Sequence, residues 1–288
     1  MELRVPRFNY RRLVRAHGWV FLEPFAWDSG RGRLSRPLVA GGRLVNVGVE
    51  VVRDGQLARV RVRVDRRLNA AGQNAVRSQV RRMLCLDQGF SEFHALCAAD
   101  PMLKFASRQR CGGMLRSPTA FEDLVKTICT INCDWRNTTR MCEALCSLDG
   151  GGFPAPDALL RYSERQLARK APVGYRSRTL RTVAKLVAEG KLPLDSWAQA
   201  GQFDLIRERL AAVWGLGPYS VAHMLVLLGD YSEIPVDSEV LRYLRETHFR
   251  GKPVSAKDAV KPYEAYGKFR FLAFKFGRMA RRLNYINK

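Results

Sequence analysis

The sequence predicts an α+β fold: an N-terminal antiparallel β-sheet domain over residues 1–80, followed by a mostly α-helical domain over residues 81–288. Three observations predict it. Apolar and polar residues alternate in Gly48–Val52 and Ala58–Val64, the period of a half-buried strand. Asp54-Gly55 between them is a hairpin-turn signal. From about Asn74 onward the apolar spacing becomes helical, and two of the later helices are joined by the tight turn Trp214-Gly-Leu-Gly-Pro-Tyr219.

Within the sheet region, Trp19–Leu22 and Arg43–Val47 are further strand candidates. The Ala58–Val64 strand is expected to lie outermost, with Arg59, Arg61 and Arg63 on one face, either solvated or turned to phosphate. Gln79–Leu86 leads into a helix at Ser91–Leu96, and Asp100-Pro101 opens a turn. The next helix starts at Ser117 or Thr119, with Pro118 in its first turn and Thr119/Glu122 spaced as a capping box. Its buried stripe is Phe121, Leu124, Val125, Ile128 and Cys129; Asn132 falls at the end of that stripe, either a C-terminal cap or a group presented outward. Gly150–Pro154 is a loop, Pro156–Leu160 and Ser163–Lys170 are short helices, and Thr179–Ala188 is a helix after Val173-Gly-Tyr-Arg-Ser-Arg178.

Phe203–Val213 repeats apolar residues at helical spacing through Ile206, Leu210, Val213 and Trp214. Gly215 and Gly217 break that pattern, because glycine lets the chain reverse and lets another backbone come close. Tyr219–Leu228 is apolar nearly all round and therefore expected to be buried. Gly229 and Asp230 stop it, and Pro235-Val-Asp237 follows. Ser238–Thr247 is a helix, and Ala259–Asn284 gives one or two more.

The net charge is +22, beyond what solubility alone calls for, and points to a polyanionic partner. It is unevenly spread: residues 1–80 carry 16 arginines and 6 acids, and residues 240–288 carry 13 basic and 3 acidic residues, so the middle is nearly neutral. No run of 18 apolar residues suggests a membrane span, and the first residues lack the apolar core of a signal peptide. The seven cysteines, all between Cys85 and Cys146, have no C-x-x-C pairing, so a reducing compartment is expected and a zinc site is not.

A G-x-G turn alone is commonly an ordinary tight turn. Combined with Pro235-Val-Asp237 at this distance, it resembles the helix-hairpin-helix DNA glycosylases. Ser117–Asn132 and Val173–Arg178 resemble two further segments of that family, and the layout with an N-terminal sheet is similar to 8-oxoguanine and bacterial alkylpurine glycosylases. The resemblance implies that the hairpin at Gly215, Leu216, Gly217 and Tyr219 grips a DNA phosphate through main-chain N–H groups. It implies that Asp237 serves the glycosidic bond, that Asn132 enters the vacated base stack, and that Arg176 and Arg136 meet the orphaned base or its phosphates. Tyr219, His223, Tyr175 and Trp214 would line the base pocket. Bifunctional members carry a lysine where this chain has Tyr219, and tyrosine cannot form a Schiff base, so a monofunctional enzyme is expected. No Cys follows Cys146, so no iron–sulfur cluster and no cofactor is expected, while the sequence leaves open a monovalent cation at the hairpin as in some relatives.

Base removal builds positive charge on C1′ and the ring oxygen, which a fixed carboxylate stabilises. Asp237 also suits a helix N-cap before Ser238, a role compatible with catalysis because it would hold the carboxylate still. Glu233 and Glu239 are the alternatives. The aromatic set favours an alkylated purine, with Phe269, Phe271, Phe274 and Phe276 more at home in the core; an oxidised purine such as 8-oxoguanine is the rival lesion, with His223 a possible contact if it lines the pocket rather than the core. Trp135 suits core packing and Arg136 a solvated face. A non-catalytic, lesion-sensing DNA binder is the rival outside enzymes; the aromatic single-strand signatures of an RNA module are missing. The expected partner is damaged double-stranded DNA, bound by a monomer in the cytoplasm at the nucleoid, or in the nucleus of a eukaryote.

Overall fold

The computed structural model describes residues 1–54 and 57–286, with side chains outside 53–54 and 283–286. The strands are β1 (Glu2–Pro6), β2 (Ala26–Asp28), β3 (Arg33–Ala40), β4 (Arg43–Asp54) and β5 (Leu57–Val64). The helices are α1 (Tyr10–Arg15), α2 (Ala70–Met83), α3 (Ser91–Ala99), α4 (Lys104–Arg108), α5 (Ala120–Thr130), α6 (Trp135–Ser147), α7 (Pro156–Leu160), α8 (Glu164–Lys170), α9 (Arg176–Ala188), α10 (Leu194–Gln199), α11 (Phe203–Ala211), α12 (Pro218–Leu228), α13 (Ser238–Thr247) and α14 (Arg270–Ile286). They form two compact units: residues 1–89 with 113–193, and residues 90–112 with 194–288.

In the first unit, five antiparallel strands lie in the order β1-β5-β4-β3-β2. The two segments expected as separate strands at Arg43–Val47 and Gly48–Val52 are one continuous strand, β4. Alternation puts Val45, Val47 and Val49 of β4 and Ala58, Val60 and Val62 of β5 on the buried face. Asp54 pairs with Leu57 across the turn, whose Gly55-Gln56 lies outside the described residues.

Two expectations are corrected here. β5 is not outermost, because β1 pairs along it from Glu2↔Arg61 to Pro6↔Leu57. On its open face Arg61 meets Glu2 at 3.1 Å and Arg63 meets Glu50 at 3.6 Å. Trp19–Leu22 is not a strand: Gly18–Phe21 is a 3-10 turn, closed by Leu22 N–H donating to Trp19 C=O at 3.0 Å. A strand would send Trp19 and Val20 to opposite faces; the turn buries both, and the Trp19 indole N–H donates to Asp123 at 2.8 Å.

α5 starts where Thr119 accepts a hydrogen bond from Glu122 N–H at 3.2 Å. The reciprocal half of the expected capping box does not form, because the Glu122 carboxylate turns inward. It accepts a bidentate pair from Arg36 on β3, both bonds 2.8 Å, and a bond from Lys126 Nζ at 2.7 Å. All three side chains are buried, and the Arg36 and Lys126 cations lie over the Phe25 ring. Beside them Asp123 also accepts from Ser117 N–H and Arg82, each at 2.8 Å. The helix is therefore buried all round, not along one stripe.

In the second unit, Phe93 of α3 packs against Phe269 and Phe276, with ring centroids 5.6 and 5.9 Å away. Phe269, Phe271, Phe274 and Phe276 are all core residues. The Ala259–Asn284 stretch divides at Gly267, whose φ of 51° ends a 3-10 segment before α14.

Burial alone would raise the Glu122 carboxyl, but the Arg36 and Lys126 charges override it and hold it at about 2, below its ordinary 4.5. A lowered folded-state value means that its contribution is complete above about 4.5 and is lost as pH falls towards 2. Glu122→Gln leaves two buried cations uncompensated and is expected to cost about 3–5 kcal/mol in urea denaturation at neutral pH. The loss should shrink as pH falls through that window; a pH-independent loss would contradict the assignment.

Candidate active site

The turn between α11 and α12 is built by its two glycines. Leu216 N–H donates to Val213 C=O at 3.1 Å and the Leu216 side chain is buried, which anchors the loop from inside. Gly215 sits at φ 88°, a left-handed conformation that favours glycine. Gly217 is extended, with φ −94° and ψ 179°, and a Cβ added there would meet nothing within 4 Å. Its freedom from a side chain thus serves open space, not internal packing. Pro218 opens α12, and Gly229 at φ 114° closes it in the left-handed region. The exposed turn therefore sits at a helix N-terminus, where main-chain dipoles favour an anion.

Between α12 and α13 the loop is tied down before it reaches Asp237. Asp230 accepts from Ser232 N–H at 2.9 Å, and Arg207 on α11 reaches Glu233 at 2.7 Å and Asp230 at 3.7 Å. Ile234 and Pro235 are buried. Asp237 then caps α13: its Oδ1 accepts from Val240 N–H at 2.7 Å, while the residue itself stays exposed. One carboxylate oxygen is fixed by the helix and the group faces outward. Glu233 and Glu239 are held instead by Arg207 and Arg242, at 2.7 and 2.5 Å. Asp237 alone of the three combines exposure with a rigid backbone anchor.

Along α12, the Tyr219 and His223 rings lie 5.6 Å apart, one helical turn from each other. His223 is buried; loss of water, with the Lys275 charge adding to it, pushes the imidazole down to about 4, so it is neutral at physiological pH. In the sequence Lys275, on α14, looks like one more charge in a basic tail. Trp214 is 53% exposed and projects from the turn itself.

In the first unit, Asn132 stands exposed at φ 45°, just beyond α5. Arg176 is buried and donates to the carbonyls of both Ile131 and Asn132, the latter at 3.3 Å. It thereby holds the Asn132 turn from beneath. Tyr175, 57% exposed, lies under the Arg176 guanidinium at 4.7 Å from its ring centre. Arg136 is exposed. Trp135 is not a core residue: it is 43% exposed, with its ring edge against Gly18.

The fold recurs in solved structures. A 3-methyladenine DNA glycosylase from Archaeoglobus fulgidus superposes with TM-score 0.76 at 20% identity, covering 98% of each chain. The chain has the fold of the helix-hairpin-helix DNA glycosylases. An 8-oxoguanine glycosylase/lyase from Clostridium acetobutylicum, in complex with double-stranded DNA, shares it with TM-score 0.71 at 18% identity, covering 97% of this chain and 94% of that one. A curated N-glycosylase/DNA lyase of Saccharomyces cerevisiae is 29% identical over 166 residues, 50% of this chain. The match spans 44% of that relative's length. No family model matches the chain.

Substitution tests the cap that fixes Asp237. Asp237→Ala removes the acceptor for Val240 N–H and should lower stability by about 0.5–2 kcal/mol, whereas Asp237→Asn keeps a capping oxygen and should stay within a few tenths of the parent. Urea denaturation of both variants checks this. Equal losses for both would contradict the cap as the device that fixes the carboxylate.

Proposed function

We propose that the chain is a monofunctional DNA glycosylase of base excision repair, which hydrolyses the N-glycosidic bond of a flipped, damaged purine in duplex DNA. The observation that carries this reading is the Asp237 carboxylate, outward-facing and locked at the start of α13, in the same unit as the open hairpin turn. The bond to be cut is buried in a duplex, so the nucleotide leaves the stack. Asn132, held up by Arg176, enters the gap, with Arg136 near the opposite strand. The amides around Gly215 and Gly217 clamp a neighbouring phosphate, and the basic ends of the chain supply the long-range pull. The damaged base stands against Tyr219 and His223, with Trp214 at hand to stack.

As the C1′–N bond breaks, its electron pair leaves with the base and positive charge spreads over C1′ and the ring oxygen. Asp237 stabilises that charge across a short, water-poor gap, then takes the proton of the water that attacks C1′. The product is an abasic site and a free base. Tyr219 gives the hairpin no amine, which supports hydrolysis without strand cleavage. The enzyme acts as a monomer on DNA in the nucleoid or nucleus. Alkylated and oxidised purines both suit a damaged-purine reading, and the fold is shared by glycosylases named for each.

Duplex oligonucleotides carrying 7-methylguanine, 3-methyladenine, hypoxanthine, 8-oxoguanine or uracil test the reading. At least one damaged purine should be converted to an abasic site, and Asp237→Asn should slow that release by about a hundredfold or more while DNA affinity stays within about twofold. Undiminished release by the Asn variant would overturn the role of Asp237. Borohydride in the reaction should trap no protein–DNA adduct; a covalent adduct would overturn the monofunctional reading.

A further inference from the structure

Lys275 is a half-buried amine on α14. Among the described residues no carboxylate pairs with it. The Phe271 ring centre lies 5.6 Å from its Nζ, Arg278 is one turn along its own helix, and its charge is felt by the His223 imidazole on α12. Phe271 is itself fixed, stacked on Tyr231 with centroids 6.4 Å apart and bonded through its N–H to the Tyr231 carbonyl at 2.9 Å. The Tyr219–His223 pair on α12 thus lies within the field of Lys275, which sits beside Phe271 on α14 of the same unit. Withdrawal from water, with Arg278 adding, lowers the amine to about 8, so most of it carries a proton at neutral pH. His223, neutral there, does not repel it. A cation so placed, with no acid to answer it, is a group that awaits a hydrogen-bond acceptor.

We propose that Lys275 is the specificity-determining residue of the base site, selecting neutral, carbonyl-bearing purine lesions over N-alkylated purines that carry formal positive charge. The inference rests on the glycosylase reading and on Tyr219 and His223 as walls of the base site. Its physics follows from the leaving group. When the glycosidic electron pair departs with a neutral base, negative charge collects on that base, and an ammonium donor beside it stabilises the charge. A base that is already cationic leaves as a neutral molecule and gains nothing from the donor; in the ground state the ammonium repels it. One side chain thereby favours one lesion class and opposes the other.

The test compares single-turnover release of 8-oxoguanine and 7-methylguanine, both opposite cytosine, by the parent, Lys275→Met and Lys275→Arg. The two bases are close in size and differ in charge. The parent should prefer 8-oxoguanine. Lys275→Met should cut the 8-oxoguanine to 7-methylguanine rate ratio by about tenfold to a hundredfold, the range for one hydrogen bond to a charged group, and Lys275→Arg should keep the parent's preference. Because both rates come from the same folded protein, a general loss of structure leaves the ratio unmoved. A parent that prefers 7-methylguanine, or a ratio that Lys275→Met leaves within twofold, overturns the proposal and spares the glycosylase reading. Release of neither these nor any other damaged base by the parent overturns both.

Discussion

The bond from Val240 N–H to the Asp237 carboxylate is the constraint on which the functional account depends. A free aspartate on a loop would swing through many rotamers and offer its charge to water. Bound at a helix N-terminus, it keeps one oxygen on the backbone and leaves the other in a fixed outward direction. Catalysis by charge stabilisation demands such pre-organisation, because the carboxylate must already be in place when positive charge develops. The cap of Asp237 and its proposed chemical role therefore reinforce each other. The tether of Arg207 to Glu233 and Asp230 extends the same logic backward, since it fixes the loop that delivers the cap.

The first unit shows how far a basic chain goes to bury charge in a defined way. Glu122 joins Arg36 of the sheet to α5 and to Lys126, and Asp123 gathers Trp19, Ser117 and Arg82. Such groups add less net stability than an apolar core of equal volume, but they penalise any other register between sheet and helix. The end of that same helix leads to the Asn132 turn, which Arg176 supports through two carbonyls. A helix packed on all sides is a firm base for the proposed wedge role of Asn132.

Much of the fold was legible because it rests on local patterns. Period-two alternation marked β4 and β5, and the glycine breaks marked the hairpin; Ser238–Thr247 was bounded by its cap. What was missed depends on partners distant in sequence. Trp19–Leu22 looks like a strand until Asp123, about a hundred residues later, claims the indole. The Thr119/Glu122 spacing suggests a capping box until Arg36 draws the carboxylate inward. Arg176, expected at the orphaned base or its phosphates, is buried and bonded beneath the Asn132 turn, a supporting role that no spacing rule encodes. Lys275 looks like one more charge in a basic tail, and only the fold puts its charge within electrostatic reach of His223 on a different helix.

A structure of the Asp237→Asn protein bound to a duplex that carries the damaged purine tests the central claim most directly. The account predicts an extrahelical nucleotide whose C1′ lies in van der Waals reach of residue 237, with an adjacent phosphate on the amides of the Gly215–Gly217 turn. A lesion left stacked in the helix, or a sugar far from residue 237, would contradict it.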